Sequence, residues 1–279
     1  MAKKQLIRTI LLGSTIALSA NLQYGFSSTY LNDPDYLNKS FTKWGSHSTG
    51  GQIDLAYDLL SDIWMVGFFF GIWLSPVLND RFGRKVGFII GNAVSLLASC
   101  LRALAIPTYQ PELLFAGRFL ASVVTAVTYQ AAVLYLNEVA PTEYRGVMSC
   151  LADITYSGMC LVGMFLGTDQ ILGRHLVWLL AVPIPLSAIA LVVLFFLPET
   201  PKFLLIVKRD RKRAEKSVKF YQGADCAAGQ ILDDIQMEAE CQKDDISITR
   251  KLLDIFTVPH LRKAFFLSCA GLQHYGQSY

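Results

Sequence analysis

Long apolar runs separated by short polar breaks dominate the chain, at residues 6–24, 63–78, 86–106, 113–136, 151–166 and 176–197. Roughly 20 mainly apolar residues cross a ~30 Å hydrocarbon layer as a helix, and each run reaches that length with its flanking residues. Six membrane-spanning helices follow. A seventh run opens near Phe265, behind His260, Arg262 and Lys263, and reaches only to Tyr279, so a truncated seventh span is expected over 263–279. Lys3, Lys4 and Arg8 ahead of the first run resemble a secretory leader, and Ala17, Ser19 and Ala20 offer small residues for cleavage. The run nevertheless continues through Asn21, Gln23 and Gly25, which suits a first span better.

Between the sixth and seventh runs lies the one polar region of any size. Ile231, Ile235 and Met237, then Leu252, Leu253, Ile255 and Phe256, recur at helical spacing. Several short amphipathic helices against the inner membrane face are expected, with a disordered linker of some helical drift as the alternative. The layout is an all-α membrane protein: a six-helix bundle over 1–197, a cytoplasmic helical domain over 198–262, and the start of the seventh span.

Composition agrees, since 53% hydrophobic and 17% charged residues with a mean hydropathy of +0.38 depart from the profile of a soluble globule. Charge then sets orientation. With the N-terminus inside, the inner segments hold Lys3, Lys4, Arg8, Arg81, Arg84, Lys85, Arg145 and the basic stretch 209–216. The outer loops hold only Lys39, Lys43 and Arg174, while Asp33, Asp35, Asp54 and Asp58 crowd the first of them. This is the positive-inside asymmetry, and it puts the glycosylation sequon at Asn38 outside. The basic stretch sits beside a span without interleaved aromatics, which points to anionic membrane lipid and away from nucleic acid. Cys100, Cys150, Cys160, Cys226, Cys241 and Cys269 are scattered, with no CxxC spacing, and His47, His175, His260 and His274 form no ligand group. No metal, cofactor or catalytic triad is expected, hence no enzyme.

The sharpest local feature is "LNDRFGRKVG" at 78–87, a charged connection of about seven residues between two apolar runs. Gly83 supplies the backbone freedom so short a turn needs. Asp80, Arg81, Arg84 and Lys85 are thereby pinned at the inner rim, where Glu138, Glu143 and Arg145 arrive after span four and Glu199 with Lys202 after span six. Complementary charges from three connections can cross-link helix ends; three separately solvated clusters are the plainer reading. Isolated exposed pairs contribute only ~0–1 kcal/mol, whereas a shielded network can bias two conformations.

Taken together, "DRFGRK" after span two, "GRF" at 117–119, "YLNEVAPTEYRG" at 135–146 and "PETPKFLL" at 198–205 resemble the amino-terminal half of a sugar porter, the facilitative hexose transporter branch of the major facilitator superfamily. Their order and spacing extend the resemblance over essentially the whole chain. It implies a transporter of two six-helix bundles working by alternating access on a hexose or related small polar solute, with the carboxyl-terminal bundle, or a dimer partner, required to complete it. It implies a multi-pass protein, in the plasma membrane, with a cytoplasmic N-terminus. It also implies that Asp80, Arg81, Arg84, Lys85, Glu138, Arg145 and Glu199 form the ionic network of the inner gate.

Carried to the substrate path, the resemblance marks Gln23 in "LQYG", Asp153 where the family has a sugar-binding glutamine, and Gln277 at the start of span seven. Ser27 stands where proton-coupled relatives have an aspartate, which favours facilitated flux. Three departures stand out. Pro76 replaces a glycine, Gly276 replaces one of two glutamines, and the Asp153 carboxylate accepts hydrogen bonds but donates none when ionised. An organic-cation or proton-coupled porter, and a non-transporting nutrient sensor, are the alternatives. For Asp153 a position at the mouth of the span, in water, stays open. Arg102 and Arg118, read as lying near the outer ends of their spans, are expected to snorkel to the interface. Tyr129, Gln130, Thr155 and Tyr156 could face a cavity or bond between helices. Trp64, Trp73 and Trp178 are expected in packing or interfacial roles, with stacking on a sugar substrate as the alternative.

Overall fold

In a computed structural model of the chain, the described residues are 3–29, 50–168, 170–172, 174–223, 226–241 and 256–276. Asn38 and Gln277 lie outside them. The described secondary structure is helical: α1 (Lys3–Thr29), α2 (Gly50–Pro76), α3 (Arg84–Thr108), α4 (Pro111–Val139), α5 (Arg145–Leu166), α6 (Leu176–Ala181), α7 (Pro183–Phe196), α8 (Pro201–Ile206), α9 (Arg211–Gln222), α10 (Ala228–Cys241) and α11 (Pro259–Gly276). The chain divides into two compact units, Met1–Leu232 and Asp233–Tyr279. The second holds the end of α10 and α11, whose Phe265 stacks edge-on with Phe256 and Phe266.

Among the described residues, five stretches are long and apolar enough to cross a membrane: Leu55–Phe82, Arg84–Thr108, Pro111–Val139, Arg145–Leu166 and Leu176–Phe196, the last being α6 and α7 in sequence. Helix α1 is as long but more polar, and the reason is visible in its contacts. Asn21 donates to Ala152 O at 2.7 Å and to Thr155 Oγ1 at 2.9 Å, and Thr9 donates to Tyr221 O at 3.0 Å. Its polar side chains join it to neighbouring helices, as expected where no water competes. Gly25 allows this approach, because a Cβ there would stand 2.7 Å from Met159 Cβ and 2.8 Å from Tyr156 O.

Helix α4 is the central post, packed along α2 and α3, while α1 packs along α5. One apolar cluster joins Ile16, Phe88, Tyr135, Met148, Leu197 and Tyr221 near the α8–α9 end; a second joins Phe26, Leu60, Leu114 and Leu180 at the opposite end. Leu97, Leu104, Ile189 and Phe195 point outward, the apolar surface a lipid-facing bundle presents.

Several sequence boundaries move. Helix α5 begins at Arg145 rather than near residue 151, and α2 begins at Gly50. After Pro76 the helix widens into a π-helical turn, Val77–Phe82. A proline ring crowds the carbonyl one turn back and removes a donor, and a π turn accommodates both. Snorkelling of the two arginines is overturned: Arg102 is 1% exposed and Arg118 5%. Arg102 donates to Ser27 Oγ at 2.9 Å and Ser99 Oγ at 3.2 Å; Arg118 donates to Leu60 O at 2.6 Å and lies 5.3 Å from the centre of the Trp64 ring. Hydrogen bonding inside the bundle replaces the water that a snorkelling side chain would seek.

Candidate functional site

The charged rim is built around Gly83. With φ at +112° this residue closes the two-helix connection in a conformation side chains disfavour, and a Cβ there would stand 2.5 Å from Glu199 Oε2. The turn aims the first residues of α3 at two acids. Arg84 reaches Glu138 with Nη2 at 3.0 Å and Nε at 3.1 Å, both on Oε1. Asp80, one helical turn back and exposed, meets Arg84 Nη2 at 3.5 Å. Glu199 is engaged differently: its Oε1 and Oε2 accept the Lys85 backbone N–H at 2.9 and 3.1 Å, and Oε1 accepts the Thr200 N–H at 3.0 Å. A carboxylate on the free N–H groups of a helix start is favoured by the helix dipole.

The Lys85 ammonium instead donates to Phe195 O at 2.8 Å, at the end of α7. Burial pushes the Glu199 carboxyl above the usual carboxylate range; the Lys85 and Thr200 N–H groups and the Arg84 charge pull the other way, and Glu138 adds to the rise. Arg81 and Arg145 are exposed and make no ion pair among the described residues. The rim therefore brings together Asp80, Arg84, Glu138, the Lys85 backbone and Glu199, and leaves Arg81 and Arg145 outside.

Sequence reasoning missed two elements here. Asn79 is fully buried and donates to Ser75 Oγ at 2.9 Å and Val127 O at 3.3 Å, tying the π turn to α4. Tyr135 and Tyr221 share a hydroxyl contact at 2.8 Å and both donate to Pro198 O, Tyr221 at 2.8 Å. Together with Ser217 Oγ on Glu199 O at 2.6 Å, this fastens α9 to the end of α7. Tyr135 opens the quoted "YLNEVAPTEYRG", but nothing in the pattern announces Tyr221 as its partner.

Higher in the bundle, Tyr24 sits among four rings: Tyr156 at 4.5 Å between centroids, Phe68 and Tyr129 at 5.8 Å and Trp64 at 6.4 Å. Asp153 lies one turn before Tyr156 on α5 and is exposed. Because α5 starts at Arg145, Asp153 is eight residues in, about 12 Å along the helix. Ser149, one turn earlier, donates to Asn137 Oδ1 at 3.0 Å, and Ser157, one turn later, is exposed. A polar stripe thus runs along α5 beside the rings. Gln23 does not belong to it: it is 5% exposed, with its amide nitrogen on Ser99 Oγ at 2.8 Å between α1 and α3. The roughly 100° turn per residue that brings Tyr24 toward α5 carries Gln23 to α3.

A helical, multi-pass membrane protein with a major facilitator fold is defined by these features and by solved structures. The proton:xylose symporter XylE bound to 6-bromo-6-deoxy-D-glucose superimposes with a TM-score of 0.72 at 16% identity, covering 88% of this chain and 56% of that one. The inward-open form of XylE from E. coli gives 0.69 at 15% identity, covering 81% and 55%. The sequence profile of the sugar (and other) transporter family matches residues 13–277, and the chain belongs to that family. Facilitated glucose transporter member 3 of Gallus gallus is 25% identical over 275 residues, 95% of this chain and 55% of the relative. Member 4 of Mus musculus is 28% identical over 233 residues, 79% and 46%. The chain spans about half the length of these relatives and corresponds to the amino-terminal half of a sugar porter.

Proposed function

We propose that the chain forms the amino-terminal bundle of a facilitative transporter for a hexose or related small polar solute. The observation that carries this is the juxtaposition on α1 and α5 of an exposed carboxylate, Asp153, with the ring cluster centred on Tyr24. A pyranose has hydroxyl donors around its edge and C–H faces above and below. A carboxylate accepts from the first, and aromatic rings pack on the second. Asp153 is thus the substrate acceptor, and the exposed α5 stripe is one wall of a path whose other wall is a carboxyl-terminal bundle. The names of the glucose-transporting relatives support the solute class.

Alternating access requires the two bundles to rock about that path. The rim built from Asp80, Arg84, Glu138, Glu199 and the Lys85 backbone is the inner gate element of this half: it holds α2, α3, α4 and the start of α8 together as a rigid end against which the second bundle closes. Ser27, whose hydroxyl receives Arg102, carries no group that titrates near neutrality, which favours facilitated flux over proton symport. The charge asymmetry favours a cytoplasmic location for this rim, the N-terminus and the domain 198–262, the bundle being 1–197 and the seventh span opening at 263. Asn38 is then an extracellular glycosylation site, and the plasma membrane is the residence that fits it. The Asp153 carboxylate also favours a second reading, an organic cation as solute.

The test is uptake by proteoliposomes in which the chain is paired with a carboxyl-terminal bundle, its own continuation or that of the Gallus gallus relative. Saturable counterflow of D-glucose, absent with L-glucose, is the expected result. Counterflow of tetraethylammonium without that of any hexose would establish the cation reading, and neither would refute transport by this site.

A further inference from the structure

A groove of about 860 Å³ lies beside the rim, bounded by the start of α3, the end of α7 and the α8–α9 pair. Its apolar wall includes Phe82, Val86, Phe196 and Phe220. Phe196 closes the last apolar stretch and is 80% exposed; Phe82 and Val86 are exposed as well. Lys85, Lys208, Arg213 and Lys216 stand on the same groove, against the acids Glu199 and Asp210.

Both acids are already engaged. Glu199 accepts the backbone N–H groups of Lys85 and Thr200, while Asp210 accepts the Arg213 N–H at 3.0 Å and holds its guanidinium at 3.2 Å. The Lys85 ammonium is bound to Phe195 O. Two cations are left facing the groove. Lys208 lies 5.8 Å from the centre of the Phe203 ring with no carboxylate partner among the described residues, and Lys216 has none there either. The groove is thus amphiphilic: an aromatic floor at the end of the membrane-crossing stretch, and unneutralised ammonium groups where α9 begins.

We propose that this groove binds one anionic phospholipid, its phosphate between Lys208 and Lys216 and an acyl chain along Phe82, Val86 and Phe196. Free phosphate would satisfy the lysines and leave the floor wet. An acidic peptide would need access from water, whereas the flanking faces of α7, with Ile189, Val192 and Phe195 exposed, open toward lipid. Juxtamembrane lysines attract anionic headgroups at this depth, and burial of methylene groups on the floor adds a salt-independent part. Such binding does not depend on transport.

Native mass spectrometry of the detergent-purified chain, offered dioleoylphosphatidylserine or dioleoylphosphatidylcholine at equal concentration, tests it. The serine lipid should be retained about ten-fold better. The double variant Lys208→Glu with Lys216→Glu should abolish the preference, whereas Lys212→Glu, on the same helix but off the groove, should keep it; unchanged melting temperatures verify folding of these exposed-site variants. Equal retention of the two lipids by the parent chain, or equal loss in the Lys212→Glu variant, would overturn the site. Displacement of the lipid by millimolar inorganic phosphate, or full retention by a Phe196→Asn variant, would overturn the lipid as its occupant.

Discussion

Arg84 binds Glu138 through two nitrogens converging on a single carboxylate oxygen, Nη2 at 3.0 Å and Nε at 3.1 Å, with both side chains largely shielded from solvent. Glu138 Oε2 is buried without a hydrogen-bond partner among the described residues. Removing the arginine therefore strands a buried carboxylate, which is costlier than neutralising the acid. Arg84→Ala should destabilise the chain by about 3 kcal/mol, and Glu138→Gln by clearly less. Adding Glu138→Gln to Arg84→Ala should recover part of the loss. Denaturant unfolding in detergent micelles gives the double-mutant cycle, and strict additivity would mean the pair is uncoupled.

Glu199 gives the rim a pH dependence of unusual sign. Its folded-state carboxyl is raised by burial, so the folded chain holds the proton more tightly than the unfolded one. The stabilising contribution of such a group is complete below the unfolded value, in the usual carboxylate range, and is lost as pH rises through the raised folded value. Relative to a Glu199→Gln variant, the parent protein should gain melting temperature as pH falls from about 7 to about 4. A difference that is flat, or that grows in the opposite direction, would show that the Lys85 and Thr200 N–H groups outweigh burial.

Gly83 should tolerate no side chain. Its positive φ and the nearness of Glu199 Oε2, 2.5 Å from where a Cβ would stand, act together. Gly83→Ala should cost about 1–3 kcal/mol, and Glu199→Ala in the same background should relieve only the carboxylate's share of the clash, since Phe203 Cε1 would stand 2.8 Å from the same Cβ. Melting of the two single variants and the double variant isolates that share from the backbone strain and the ring contact.

Docking of α9 depends on a ring and a hydroxyl. Tyr221 is buried, its hydroxyl meeting Tyr135 OH and Pro198 O. Tyr221→Phe should lose about 1 kcal/mol, since its single hydroxyl proton is shared between these contacts, whereas Tyr221→Ala adds a cavity worth about 3–5 kcal/mol. Limited proteolysis around Lys208 and Arg209 reports the release: cleavage should accelerate strongly for Tyr221→Ala and modestly for Tyr221→Phe.

Apolar run length makes most of the fold legible, because a membrane leaves helices little alternative. The family motifs "DRFGRK" and "PETPKFLL" are equally clear. What the sequence does not convey is the direction each side chain faces. Arg102 and Arg118 read as snorkelling residues because their distance from the span ends permits it; only the neighbours on α1 and α2, Ser27 and Leu60, show why they turn inward. Lys85 reads as an ion-pair cation, yet its backbone N–H, freed at the helix start, is what holds Glu199. Gln23 lies next to Tyr24 in "LQYG", and one residue of helical rotation separates a packed amide from the ring cluster. Asp153 reads as nearer the end of its span because the apolar run opens at Leu151, whereas the helix opens at Arg145.

Passage of solute along the α5 face beside Tyr24 is tested most directly by substrate protection at residue 157, one turn beyond the Asp153 acceptor on the same exposed stripe. In a cysteine-free background that keeps Asp153 and is paired with a carboxyl-terminal bundle, a Ser157→Cys variant would be treated with a small membrane-impermeant maleimide. D-Glucose, but not L-glucose, should slow the labelling in a saturable way, while a cysteine at the exposed start of α4, at Glu112, should label without such protection. Labelling at position 157 that is indifferent to every hexose, in a protein that still transports, would place the sugar path elsewhere.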